Sequence, residues 1–153
     1  RACAAKVRPV PRAALVRRVR FSATHRYHRP EWTDQENLTA FGACAAAEPH
    51  GHEYVCDVSV RGELDPKTGM AVDLGLLDRL IDEQVVRALD GKLINDALPE
   101  FRPGGMIPTC EALAMVVAER IGAALGSAGS LARVDAVRVA EDESLWAVWT
   151  ADA

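Results

Sequence analysis

The chain has 153 residues, 49% of them hydrophobic and 26% charged, with a formal net charge of −4. That suits one domain with a core of its own, and the acidic balance excludes a general grip on nucleic acid. Cys3, Cys44, Cys56 and Cys110 are widely spaced and form no CxxC pair, which excludes a disulfide framework or zinc ribbon and points to a reducing, cytoplasmic setting.

In chain order, residues 1–12 read as an N-terminal arm carrying Pro9 and Pro11, and 13–153 as a single domain. Arg8, Arg12, Arg17, Arg18 and Arg20 make this start locally basic, as a solvated or subunit-contacting surface would be. Arginines and prolines interrupt it, unlike an export signal, and no apolar run approaches the roughly 20 residues of a membrane span. A soluble, unexported protein with no membrane partner is expected.

From Ala13 to Arg26 the pattern predicts a long strand with Phe21, Ala23 and His25 on one face. A polar loop follows, in which Thr33 or Asp34 caps a short helix reaching Phe41. A second strand opens at His50-Gly51-His52 and runs through β-branched and aromatic residues to Leu64, where Asp65-Pro66-Lys67-Thr68-Gly69 makes a turn. Met70-Ala71-Val72 reads as extended. Leu74, Leu77, Leu80, Ile81, Val85, Ala88 and Leu89 recur at helical spacing behind an Asp73 cap. A loop from Asp90 to Pro108 precedes a second amphipathic helix from Thr109 to Gly126, bearing Leu113, Val116, Val117, Ile121 and Leu125. Ala132–Ala140 and Leu145–Thr150 are then two strands around the acidic turn Glu141-Asp142-Glu143-Ser144.

Because sequential strands usually pair, these elements predict an α+β fold: a four-stranded antiparallel sheet in ββααββ order with two helices on one face. Val58, Val60, Val137, Val139, Val148 and the three tryptophans supply apolar material for both faces, so self-association is expected.

Two imidazoles at i and i+2 of an extended segment point to one side, as two ligands of one metal must. An HxH pair alone is equally a turn with solvent-facing rings. His25, at the end of the preceding strand, is brought beside it by antiparallel pairing, and three neutral imidazoles would hold Zn(II) with an open position, the arrangement of a catalytic site. His28 is the rival third ligand. Cys44 is a fourth ligand, a base or a nucleophile; beside a divalent cation its pKa would fall. Cys56 and Cys110 read as small buried hydrophobes.

Phe21-Ser22-Ala23-Thr24-His25, Glu36-Asn37-Leu38 with Phe41-Gly42-Ala43-Cys44, and His50-Gly51-His52-Glu53-Tyr54 together resemble the 6-pyruvoyl-tetrahydropterin synthase family, which includes the 6-carboxy-tetrahydropterin synthases. The likeness continues through Gly62–Met70, Leu89-Asp90, Pro108–Ala114 and Val137–Glu141, covering about residues 18 to 150, and the gap from Cys44 to His50 resembles the pyruvoyl-forming branch. The resemblance implies the tunnelling fold, assembled through sheet edges into trimers that stack as hexamers. It also implies zinc on His25, His50 and His52, and a pterin substrate, 7,8-dihydroneopterin triphosphate, converted with loss of triphosphate. Cys44 and Asp90 would be catalytic, Glu141 would anchor the pterin through two N–H bonds, and Thr109 would support the ring. Without the resemblance, Glu141 reads as a solvated turn residue. Glu111 reads as a helix N-terminal charge.

One departure bears on activity. Where the family has Asp-His after the first helix, this chain has Asp90-Gly91, and glycine cannot shuttle a proton. The alternatives are a slower synthase, a 6-carboxy-tetrahydropterin synthase or aldolase-like enzyme acting on a dihydropterin side chain, and a pterin-binding paralogue without turnover. His28 could fill the vacancy.

Overall fold

The computed structural model describes residues 12–152. The expected arm, and Arg8 and Cys3 within it, lie outside the described residues apart from Arg12. Strand β1 (Arg12–His25) pairs along its whole length with antiparallel β2 (His50–Glu63), so that Phe21 faces Tyr54 and His25 faces His50. Strand β4 (Arg133–Ala140) pairs with β2 on its other side, and β5 (Trp146–Thr150) closes the sheet on β4, both antiparallel.

The sheet departs from the expected four antiparallel strands. A fifth strand, β3 (Lys92–Leu93), lies parallel to β1 at Ala23 and Thr24, giving a mixed sheet of order β3-β1-β2-β4-β5. Two residues have no readable period, so nothing in the pattern marked this strand. It is held by its neighbours: Asp90 accepts from the Ser22 amide at 2.9 Å, and the Gly91 amide donates to the Ser22 carbonyl at 2.7 Å.

Helix α1 (Asp34–Phe41) starts at a capping box in which Thr33 and Glu36 satisfy each other's backbone amides. The predicted helix from Leu74 is divided into α2 (Leu74–Ile81), a π-helical stretch (Asp82–Val86) and α3 (Arg87–Leu89). The apolar spacing persists across the extra residue of the wider turn, so the division was not visible in the sequence. Met70-Ala71-Val72 is no strand: the Met70 carbonyl closes the preceding turn on the Asp65 amide. The presumed loop carries a short helix, α4 (Ile94–Ala97), and a 3-10 turn (Pro99–Phe101). Helix α5 (Cys110–Ser127) runs one residue beyond the expected end.

Helices cover one face of the sheet. Tyr54, Cys56, Val58 and Val60 alternate inward on β2 and join Val137, Val139 and the inner residues of α5 in one core. The opposite face carries apolar material only in part, mixed with charge. Of the five valines assigned to the two faces, Val58, Val60, Val137 and Val139 are in the core and Val148 is exposed on the other side. The other face carries Arg18, Asp57 and Arg138, with Trp146 and Val148 exposed. Arg18 clasps Asp57 with two bonds, at 2.6 and 2.8 Å, and Arg138 lies over the Trp146 ring at 4.7 Å.

Candidate metal and pterin site

The register that seats His25 opposite His50 also puts His52 opposite Ala23, two residues further along the same face. All three imidazoles therefore meet at one end of the covered face. Their ligand nitrogens lie within 4.8 Å of one another, with His25 Nε2 and His50 Nε2 2.9 Å apart. His28 is not in the cluster.

The surroundings fix which nitrogen faces inward. His25 is 1% exposed, and its Nδ1 lies 3.2 Å from the Pro108 carbonyl and 3.2 Å from the Tyr54 hydroxyl. A carbonyl only accepts, so Nδ1 carries the hydrogen and Nε2 is left bare toward the other two rings. Burial is the main cause that pushes the His25 pKa down to about 4, with the neighbouring imidazoles adding to it. The ring is therefore neutral at pH 7, as a ligand must be.

A zinc ion fits this donor set. His52 Nε2 is buried without a hydrogen-bond partner among the described residues, and the nearest acid, Glu141 Oε2, is 3.9 Å away. An orphaned buried nitrogen is costly unless a cation takes its lone pair. Tetrahedral nitrogen ligands at 2.0–2.1 Å from zinc are about 3.3 Å apart, within the spread of this cluster.

Cys44 sits in the 3-10 turn Gly42–Ala45 with Sγ 3.9 Å from His50 Nε2. The Tyr27 amide donates to its carbonyl at 2.9 Å, tying the turn to the chain just after His25. Burial, then the Glu141 carboxylate, pushes the Cys44 thiol up from its ordinary value. The lowered pKa expected from the sequence thus depends on a cation.

Glu141 follows β4 directly and is not a solvated turn residue, its side chain being 12% exposed. Its Oε2 accepts from Cys110 Sγ at 3.7 Å. Burial first, and then Glu141, pushes the Cys110 thiol up to about 12, so it stays protonated as the donor. Thr109 caps α5, accepting from the Ala112 amide at 3.2 Å. Its hydroxyl is thus already engaged by backbone, and it lies in the chain between Pro108, whose carbonyl faces His25, and Cys110, which donates to Glu141.

The Asp90 carboxylate accepts from the Ser22 amide at 2.9 Å, and no hydrogen bond joins it to Cys44 among the described residues. Gly91 adopts φ +69°, with open space where a side chain would begin. That left-handed conformation favours glycine, so the turn suits the residue at position 91.

Sequence reasoning missed three contributors: Tyr54, the Pro108 carbonyl and Cys110. Tyr54 was within reach, because it lies two residues after His52 on the same face. The other two depend on tertiary contacts that no spacing announces.

Comparison with known proteins is consistent with this geometry. The sequence pattern of the family described as 6-pyruvoyl tetrahydropterin synthase matches residues 14–152. The 6-pyruvoyl tetrahydrobiopterin synthase of Homo sapiens is 37% identical over 105 residues, 69% of this chain and 71% of that protein. That of Poecilia reticulata is 36% identical over 118 residues, 76% of this chain and 79% of that protein. The solved structure of Caenorhabditis elegans 6-pyruvoyl tetrahydropterin synthase superposes with a TM-score of 0.83 at 26% identity, covering 94% of this chain and 98% of the other. The chain belongs to the 6-pyruvoyl tetrahydropterin synthase family.

Proposed function

We propose that the protein is a zinc-dependent carbon–oxygen lyase of the 6-pyruvoyl-tetrahydropterin synthase type, acting on 7,8-dihydroneopterin triphosphate with elimination of triphosphate. The observation that carries this is the convergence of His25, His50, His52, Cys44 and Glu141 on one spot. His25, His50 and His52 would hold the metal, which when bound supplies Lewis acidity and a positive field beside the substrate side chain. Cys44, as thiolate, would take a proton from a side-chain carbon and return it to a neighbouring one. Glu141 would accept two N–H bonds from the pterin edge, and Cys110, by donating to Oε2, orients that carboxylate. Thr109, through the cap it makes, fixes the start of α5 beside the ring. Oxidation of the side chain and reduction of the ring compensate within one molecule, so no redox cofactor is required.

Asp90 is assigned to the same proton relay, which here must be completed by a group other than residue 91. The assembly supported is a ring of copies, trimeric or hexameric, closed through sheet edges. Along Arg12–Arg20 β1 has no partner on the side away from β2, and β5 is paired only with β4, among the described residues.

The test is zinc-loaded protein with 7,8-dihydroneopterin triphosphate and mass detection of products. Release of triphosphate with a 6-pyruvoyl product, abolished in Cys44→Ala while zinc stays bound, is the expected result. Loss of the metal in Cys44→Ala would instead make sulfur a fourth ligand and the site a structural one. A second reading, a pterin-binding paralogue without turnover, is favoured by the glycine at residue 91 and by the engagement of Asp90 with Ser22; it predicts pterin binding and no product. A 6-carboxy product, or a truncated side chain, would place the activity with the corresponding relative.

A further inference from the structure

Beside the histidine cluster lies a groove that neither the imidazoles nor Glu141 use. It encloses about 280 Å³ and is lined by Arg26, His28, Pro49, Asn95 and Arg102 over an apolar floor that includes Phe101. Its position follows from the chain. Arg26 comes directly after His25, and Pro49 directly before His50, the opposed pair at the strand ends.

The groove is built rather than incidental. The Asn95 side chain accepts from the Arg26 amide and donates to the Arg26 carbonyl, each at 2.9 Å, which fixes the backbone there. The Arg26 guanidinium donates to the Ala45 carbonyl at 3.2 Å, the residue after Cys44. Arg29 braces the far wall by donating to the Gly105 carbonyl at 3.0 Å. Arg26, Arg29 and Arg102 take part in no ion pair among the described residues, as is also true of Arg20, Arg79, Arg120 and Arg133, but these three lie together at one groove. Asp96 is the only carboxylate lining the groove. Guanidiniums left without carboxylates, over an apolar floor that strengthens charge interactions, suit phosphate oxygens.

We propose that this groove binds the phosphate chain of the substrate whose ring lies at Glu141, with Arg102 and Arg26 as its cationic contacts and His28 beside them. The identity of that substrate rests on the synthase reading above; the anion site itself rests on the groove. The probe is inorganic triphosphate, titrated calorimetrically into zinc-loaded wild type, Arg102→Glu and, as a control on α2 outside the groove, Arg79→Glu. Chelation of zinc by the probe is common to all three proteins and cancels in the comparison. Arg102 is exposed, so its replacement leaves the core intact. Affinity should fall roughly tenfold or more in Arg102→Glu, as expected for losing a charge-assisted contact, stay unchanged in Arg79→Glu, and weaken with added salt in wild type. Equal binding by wild type and Arg102→Glu, or no binding by wild type, overturns the proposal. The two readings fail separately. Triphosphate binding that depends on Arg102, without any turnover of the pterin triphosphate, keeps the groove and removes the synthase. Turnover with an unchanged KM in Arg102→Glu keeps the synthase and removes the groove.

Discussion

His25 shows how one side chain is set by its surroundings. Its pKa of about 4, depressed chiefly by burial, means that the unfolded chain takes up a proton near pH 6.5 that the metal-free native protein refuses. Between these values the unfolded state binds more protons, so stability falls as pH is lowered from about 6.5 to about 4. Urea midpoints of the metal-free protein across that range should decline, and His25→Gln should flatten the decline; equal slopes for the two proteins would contradict the burial argument. Cys110 is the second residue with a consequence. Cys110→Ala removes the donor to Glu141 Oε2 and should weaken pterin binding by about two- to fivefold, as befits a weak S–H donor, without changing zinc content. Both residues were named from the sequence, but only His25 was given its role. Its position two residues after Ala23 on the inner face of a strand is a period-two signal, whereas the contact of Cys110 with Glu141 joins a helix start to a strand end 31 residues away.

Helix starts and turns are where local sequence and local structure agree best. Asp73 caps its helix as the sequence indicates, Thr33 is the one of the two candidates that caps α1, and Thr109, read as the first residue of its helix, is its cap, because a hydroxyl or carboxylate beside free amides needs no distant partner. Thr109→Ala should therefore cost about 1 kcal/mol, read as a lower urea midpoint, and leave the metal bound; loss of zinc with unchanged stability would mean that Thr109 serves the site directly. The Asp90-Gly91 turn makes the opposite demand. Gly91→His must place a side chain at φ +69°, at a cost of about 1–2 kcal/mol, so the variant should unfold at lower urea than wild type; an unchanged midpoint would contradict the strain argument. What the sequence did not reveal at this scale, β3 and the π-helical stretch, are elements too short or too regular in their apolar spacing to leave a pattern of their own.

In the whole molecule, the sheet hides one apolar face under helices and presents the other face, on which Arg18, Asp57 and Arg138 lie beside exposed Trp146 and Val148, with the Arg12–Arg20 edge of β1 and the outer edge of β5 unpaired among the described residues. Open edges invite pairing with another chain, and light scattering should give the mass of a trimer or hexamer. A monomer at micromolar concentration would remove the ring. The order of the long strands and the meeting of three histidines were legible because antiparallel neighbours bring strand ends together. The groove of Arg26 and Arg102 was not, since it joins a strand end to a turn 76 residues further on, and only the folded chain puts them side by side.

The central claim is that three imidazole nitrogens and no thiolate grip the metal, leaving a coordination position free. Zinc K-edge X-ray absorption of the zinc-loaded protein measures this directly. It should show nitrogen or oxygen neighbours at about 2.0–2.1 Å and no sulfur, and a sulfur shell at about 2.3 Å would contradict the account by making Cys44 a ligand.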